Sequence, residues 1–251
     1  MEWTDEILFI VGGILAGIVN TISGSGSLFS IGVMVWAGIP LVAANIASRP
    51  GVFFQNITGI VVLRKYYKLS VKDIPLWPAI LCCIGAMLGA VCATLVSGGN
   101  FNLIASVVML ILLIQYLFPN RLFKSLQLKR FNTSGFLGLI LFFLTGFYGG
   151  FIQIGIGILV LTLLLDVLKM PYAQSNAYKL ALILIYTIPT TIYFALNDSI
   201  LWKPALLLSA GQIFGAYLAA VFIGKNKSAA YWARNITIIM IVVTLVKIWF
   251  F

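Results

Sequence analysis

The chain has 251 residues, 62% of them hydrophobic and 9% charged, with a mean hydropathy of +1.10. A water-soluble domain carries about 25% charged residues, so a large soluble core is excluded and an all-α polytopic protein in a lipid bilayer is expected. The net charge of +10 would suggest nucleic acid as a partner for a soluble protein, but its distribution fits membrane orientation instead, and no nucleic-acid partner is expected.

The N-terminus is acidic (Glu2, Asp5, Glu6) and lacks the basic start and small-residue cleavage site of a signal peptide. Ten apolar segments follow, at 7–22, 28–37, 41–63, 75–97, 101–118, 134–149, 156–168, 172–196, 201–223 and 231–250. A spanning helix needs about 20 residues, so the first, second, sixth and seventh are too short to cross comfortably. They meet pairwise at glycine-rich joints, Gly24-Ser25-Gly26 in one pair and Gly149-Gly150 with Gly155-Ile156-Gly157 in the other. Each pair is either two tilted short spans or a re-entrant hairpin.

Of sixteen Lys and Arg, twelve fall in or beside a few loops: Arg64, Lys65, Lys68, Lys72, Arg121, Lys124, Lys129, Arg130, Lys169, Lys225, Lys227 and Arg234. By the positive-inside rule these loops are cytoplasmic, which puts both chain termini outside. Cys82, Cys83 and Cys92 share one apolar segment and read as packing residues. With no histidine, the commonest metal ligand and proton shuttle is missing; no metal and no cofactor are expected. An intramembrane enzyme would need an interior base or metal, and the sequence offers neither.

The chain repeats internally. Gly26, Pro40, Asn45 and Asn56 are matched by Gly157, Pro171, Asn176 and Thr187 at an offset of 131, and Arg49 by Lys179 one residue out of register. Gly85-x-x-x-Gly89 is matched by Gly211-x-x-x-Gly215 at an offset of 126. These matches predict two five-segment units, 1–118 and 134–251, joined by a cytoplasmic linker at 119–133. Five is odd, so the second unit enters from the opposite side. Inverted repeats with paired short or broken helices point to a secondary transporter with its site near the midplane.

Arg49 and Lys179 lie about 12–14 Å along their helices from Pro40 and Pro171, near the middle of a core about 30 Å thick. The two helices arrive from opposite faces, so the cations can converge. No Asp or Glu falls inside a segment to pair with them, and such a pair invites a mobile anion. Alternatively, both bond helix-end carbonyls or snorkel. Asn45, Arg49 and Asn56 share one helical face, with Gln55 to its side; Asn176, Lys179, Tyr186 and Thr187 nearly repeat that face. Such a stripe either lines a pathway or joins helices. The joints Gly24-Ser25-Gly26-Ser27 and Gly155-Ile156-Gly157 expose N–H groups at helix starts, which attract anions; close packing is the alternative. Pro50 and Pro189 are expected to interrupt long segments.

Ala16-Gly17-x-x-Asn20 with its Gly/Ser cluster, Pro40-x4-Asn45-x3-Arg49 and Gln55-Asn56 resemble the first half of the TauE/SafE sulfite-exporter family. Gly146-Phe147-Tyr148-Gly149-Gly150, Gly155-x-Gly157 and Asn176-Ala177-x-Lys179 resemble its second half. The resemblance implies transport of a small sulfur-containing anion such as sulfite, thiosulfate or an organosulfonate, across a prokaryotic plasma (inner) membrane. Gln153 departs from the family, which often has glycine there. The expected function is a secondary transporter, an exporter by the simpler physics, with Arg49 and Lys179 supplying charge and Asn20, Asn45, Asn56, Gln153 and Asn176 supplying amides. An anion channel and a cation-coupled uptake permease are the alternatives. The oligomeric state is open, a homodimer being one arrangement.

Overall fold

A computed structural model describes residues 3–66, 76–118, 136–167, 170, 172–223 and 229–250. The linker 119–133, Pro171 and the loop cations Lys68, Lys72, Arg121, Lys124, Lys129, Arg130, Lys169, Lys225 and Lys227 lie outside the described residues. The described elements are helices in the order α1 (Trp3–Ser23), α2 (Ser27–Trp36), α3 (Leu41–Ala47), α4 (Arg49–Tyr66), α5 (Leu76–Leu95), α6 (Gly98–Leu117), α7 (Phe136–Phe151), α8 (Ile156–Thr162), α9 (Tyr172–Leu196), α10 (Trp202–Ile223) and α11 (Ala229–Phe250). A π-helical turn, Leu163–Val167, extends α8. Six of the described stretches are long and apolar enough to cross a membrane: Asp5–Ser23, Leu41–Lys65, Leu76–Leu95, Gly98–Leu117, Gln174–Leu196 and Trp202–Val221. The protein is an all-α polytopic membrane protein.

Two expectations need correction. The first segment is not short: α1 starts at Trp3 and carries Asp5 and Glu6 in its first turn, where carboxylates favour the positive end of the helix dipole. Pro189 lies inside α9 without ending it. Pro50, by contrast, stands at a real break between α3 and α4, because it has no N–H to give the Ile46 carbonyl.

The short helices end for local reasons. At the end of α2, Gly38 takes φ +83, and N–H groups of Gly38 and Ile39 return to Val35 O and Met34 O, closing the helix in a left-handed cap. Pro40 then opens α3 as its N-cap. Side chains place α2 back along α1: Gly12 faces Val33, and Gly26 faces Ala16 and Asn20. These two helices therefore form a hairpin.

Glycines set the main helix crossings. A Cβ on Gly13 or Gly17 would strike the backbone of Leu208 or Gln212 in α10, and one on Gly211 or Gly215 would strike Ile10 or Ile14 in α1. Likewise Gly85 and Gly89 of α5 lie on the backbone of Phe143 and Phe147, while Gly146 and Gly150 of α7 lie on Cys82 and Ala86. In both crossings small residues let parallel helices approach closely where lipid offers no hydrophobic drive. Thus α1 packs on α10, and α7 packs on α5. Glu6 meets Lys203 at 2.7 Å where α1 and α10 begin, and Lys247 sits over the Trp36 ring at 5.6 Å. Gly89→Leu is expected to cost about 3 kcal/mol through overpacking, whereas Gly98→Leu, with open space around it, should be neutral. Melting temperatures in detergent test the pair, and equal melting would refute the crossing.

Candidate functional site

The two glycine joints have the same backbone shape. Gly24 takes φ +84 and Gly155 takes φ +69, and these residues are 131 apart, the offset read from the sequence. Each turns the chain from one helix into the next in a conformation that glycine adopts without strain. The joints also touch: a Cβ on Gly24 would meet Gly157 Cα, C and O, and one on Gly157 would meet Gly24 Cα, C and O. The tips of the α1–α2 and α7–α8 pairs therefore meet backbone to backbone. Ser27 Oγ accepts the Gly155 N–H at 3.1 Å. Ser25 Oγ lies 2.8 Å from Ser23 Oγ and 3.1 Å from Thr237 Oγ1 of α11.

Among the described residues, Arg49 and Lys179 are the fully buried charged groups. Arg49 reaches the end of α7, and Lys179 the end of α1. Arg49 Nη2 donates to Gly150 O in the last turn of α7, at 2.5 Å, and Nη1 donates to Thr190 Oγ1 at 3.3 Å. Its guanidinium lies 4.8 Å from the centre of the Phe194 ring. Lys179 Nζ donates to Asn20 O at 2.9 Å and Thr21 O at 3.5 Å in the last turn of α1. A helix C-terminus carries partial negative charge, so each cation is eased by a dipole rather than paired with a carboxylate. The cations keep separate partners: Lys179 and the Thr190 contact of Arg49 are about 16 Å apart along α9, at 1.5 Å per residue.

Asn45 reinforces the Arg49 contact. Its Nδ2 donates to Phe151 O at 3.1 Å, and its Oδ1 accepts the Gln153 N–H at 3.0 Å. One side chain thus pairs with the unwound backbone between α7 and α8 as a neighbouring strand would. Asn45, Arg49 and Gln153 are brought together around residues 150–153; Asn20 and Lys179 are brought together at the end of α1. Asn176 is buried, but among the described residues its Oδ1 has no partner, unlike Oδ1 of its counterpart Asn45.

Among the described residues, several buried atoms lack a hydrogen-bond partner: Arg49 Nε, Gln153 Nε2, Tyr186 Oη, Thr187 Oγ1, and both amide atoms of Gln55 and of Asn56. Buried polar atoms left so cost about 1–3 kcal/mol each. Tyr186 Oη lies against Gly149 in the last turn of α7, where a Cβ would collide with it. Gln55 stands one turn beyond Gly51, which faces the Gln212 amide of α10.

Sequence reasoning missed Ser48, Thr190, Gln212 and Thr237. Gln212 is fully buried and donates from Nε2 to Ser30 Oγ at 2.6 Å. The residue 126 positions earlier is Ala86, so repeat matching passed over it. Ser48 sits between Asn45 and Arg49 and could have been found as a third polar residue in one helical turn.

The sequence pattern of the family described as "Sulfite exporter TauE/SafE" matches residues 9–248. The chain belongs to this family. Among the relatives of this TauE/SafE chain, a "Probable membrane transporter protein ORF9" of Sinorhizobium sp is 24% identical over 236 residues, 94% of this chain and 87% of the relative. A "Probable membrane transporter protein" of Haemophilus influenzae is 24% identical over 215 residues, 85% of this chain and 83% of the relative. No solved structure matches. This TauE/SafE protein is therefore a membrane transporter.

Proposed function

We propose that the protein is a secondary transporter of a small sulfur-containing anion, such as sulfite, thiosulfate or an organosulfonate, acting by alternating access around the touching hairpin tips. The observation that carries this reading is the pair of fully buried cations, Arg49 and Lys179, whose charge meets only helix-end groups and no carboxylate among the described residues. The unpartnered donors Arg49 Nε and Gln153 Nε2 supply what an oxyanion needs. The touching glycine joints and the α1–α10 and α5–α7 crossings support an inverted duplication, 1–118 and 134–251, with its site at their contact. On this reading the protein lies in a prokaryotic inner membrane, both termini outside, and α1 and α10 begin on the outer side.

An inside-negative potential is worth about 2.3 kcal/mol per charge per 100 mV, or roughly 50-fold outward accumulation of a monovalent anion without a coupling ion. Export is thus the direction that the bare charge balance favours. Purified protein in liposomes is expected to carry radiolabelled sulfite, thiosulfate or sulfoacetate with saturation, to exchange labelled for unlabelled anion, and to respond to an imposed potential. Channel-sized single currents would replace alternating access by an open pore. Absence of flux for all three anions would remove the substrate assignment.

A further inference from the structure

We propose that Ser48 is a positioning residue for the transported anion, acting by setting which face of the Gln153 amide the site presents; this rests on the anion-site reading above. Ser48 stands at the break between α3 and α4, fully buried. Its Oγ lies 2.9 Å from Asn45 O and 3.2 Å from Gln153 Oε1. A hydroxyl has one proton, so Ser48 serves one of these two acceptors at a time.

The backbone around Gln153 is already pinned. Asn45 holds its N–H and the carbonyl of Phe151, so the side-chain amide is the part left free to answer Ser48. When the Ser48 proton points to Gln153 Oε1, the amide NH2 is turned the other way, where it has no partner. It is then an unpartnered donor at the segment 150–153, which Arg49, with an unpartnered Nε of its own among the described residues, reaches through Gly150 O. That is a donor face, suited to an acceptor-only ligand: a deprotonated oxyanion. When the proton points to Asn45 O, Ser48 Oγ becomes an acceptor. A half-turn of the amide then lets NH2 donate to Ser48 and presents Oε1 to the cluster, a face that repels an anion and suits a water or a protonated ligand. The Ser48 hydroxyl is thus a rotor that a fully ionised anion drives to one setting.

The test is a double-mutant cycle in liposomes, using whichever of sulfite, thiosulfate and sulfoacetate the wild-type protein carries. Ser48→Ala and Gln153→Ala are each expected to raise KM about tenfold, the scale of one hydrogen bond to a charged group, with maximal rate little changed. The double variant should be no worse than Gln153→Ala alone, because Ser48 acts only through that amide. Ser48→Thr keeps the hydroxyl and should restore KM; Ser48→Cys, a weaker donor, should fall between and provides a second probe if Ser48→Ala does not fold. Additive effects, or a wild-type KM in both Ser48→Ala and Ser48→Cys, would overturn the proposal. Arg49→Gln, measured alongside, separates the two levels. If it carries the anion with normal KM, the anion site itself is misplaced. If it is impaired while Ser48 and Gln153 fail to couple, only the Ser48 assignment falls.

Discussion

Gly24→Ala is expected to prevent the protein from reaching a stable folded state, and Gly157→Ala is expected to do nearly the same. The two variants fail for overlapping reasons. At Gly24 the φ of +84 costs an L-residue about 1–2 kcal/mol, and the new Cβ falls on three backbone atoms of Gly157. Gly157 lies inside α8 with no positive φ, so alanine there pays only the collision with Gly24. Backbone cannot rotate aside as a flexible side chain does, so the tips must separate and every contact around them shifts. Gly38 supplies the control. Its φ of +83 matches Gly24, yet nothing lies within 4 Å of its would-be Cβ. Gly38→Ala should therefore show the conformational cost alone, about 1–2 kcal/mol. Detergent melting of the three variants measures the difference. Equal losses at Gly24 and Gly38, with none at Gly157, would mean that the tips do not touch.

The second large effect concerns the buried cations. Arg49→Gln and Lys179→Gln should each weaken anion binding roughly ten- to hundredfold, from the loss of a charged donor worth about 1.5–3 kcal/mol. The variants also leave carbonyls at the ends of α7 and α1 with one donor fewer, so flux alone would confuse a lost site with a loosened fold. Thermal stabilisation by added anion separates them, because a ligand that binds only the folded state raises its melting temperature by an amount that grows with the logarithm of its concentration above Kd. The wild-type protein should gain stability with sulfite, thiosulfate or a sulfonate; the variants should melt at a temperature that the anion no longer moves. Arg49→Lys should not rescue. Its single ammonium cannot reproduce the fork that reaches Gly150 O and Thr190 Oγ1 together. Variants that transport and are stabilised normally would show that both cations serve only as helix-end supports.

Much of this arrangement is legible in the sequence because polar groups are conspicuous among apolar ones. Asn45, Arg49, Asn176 and Lys179 stand out in that way, and all four are buried. Gly85, Gly89, Gly211 and Gly215 are legible too, since four-residue spacing puts small residues on one face, and each lies against backbone. What the cations touch is not legible. A backbone carbonyl has no signature in the sequence, and nothing in residues 146–151 announces that Gly150 O receives a guanidinium. The start of α1 was hidden by its own charges: Asp5 and Glu6 look like a solvated tail but occupy the first helical turn. Gln212 was hidden because its repeat counterpart is Ala86, and Ser48 because Lys179, which stands opposite it at the offset of 131, had been paired with Arg49.

The contact between Gly24 and Gly157 has a mechanical consequence. A seam of interlocked side chains can absorb a small displacement by changing rotamers, and it must be unlocked before its two sides slide. Where Gly24 meets Gly157 there is no side chain to absorb a push, so a shift of one tip is handed to the other at once, and the bond from the Gly155 N–H to Ser27 Oγ beside it is the catch that must open before the two can turn on each other.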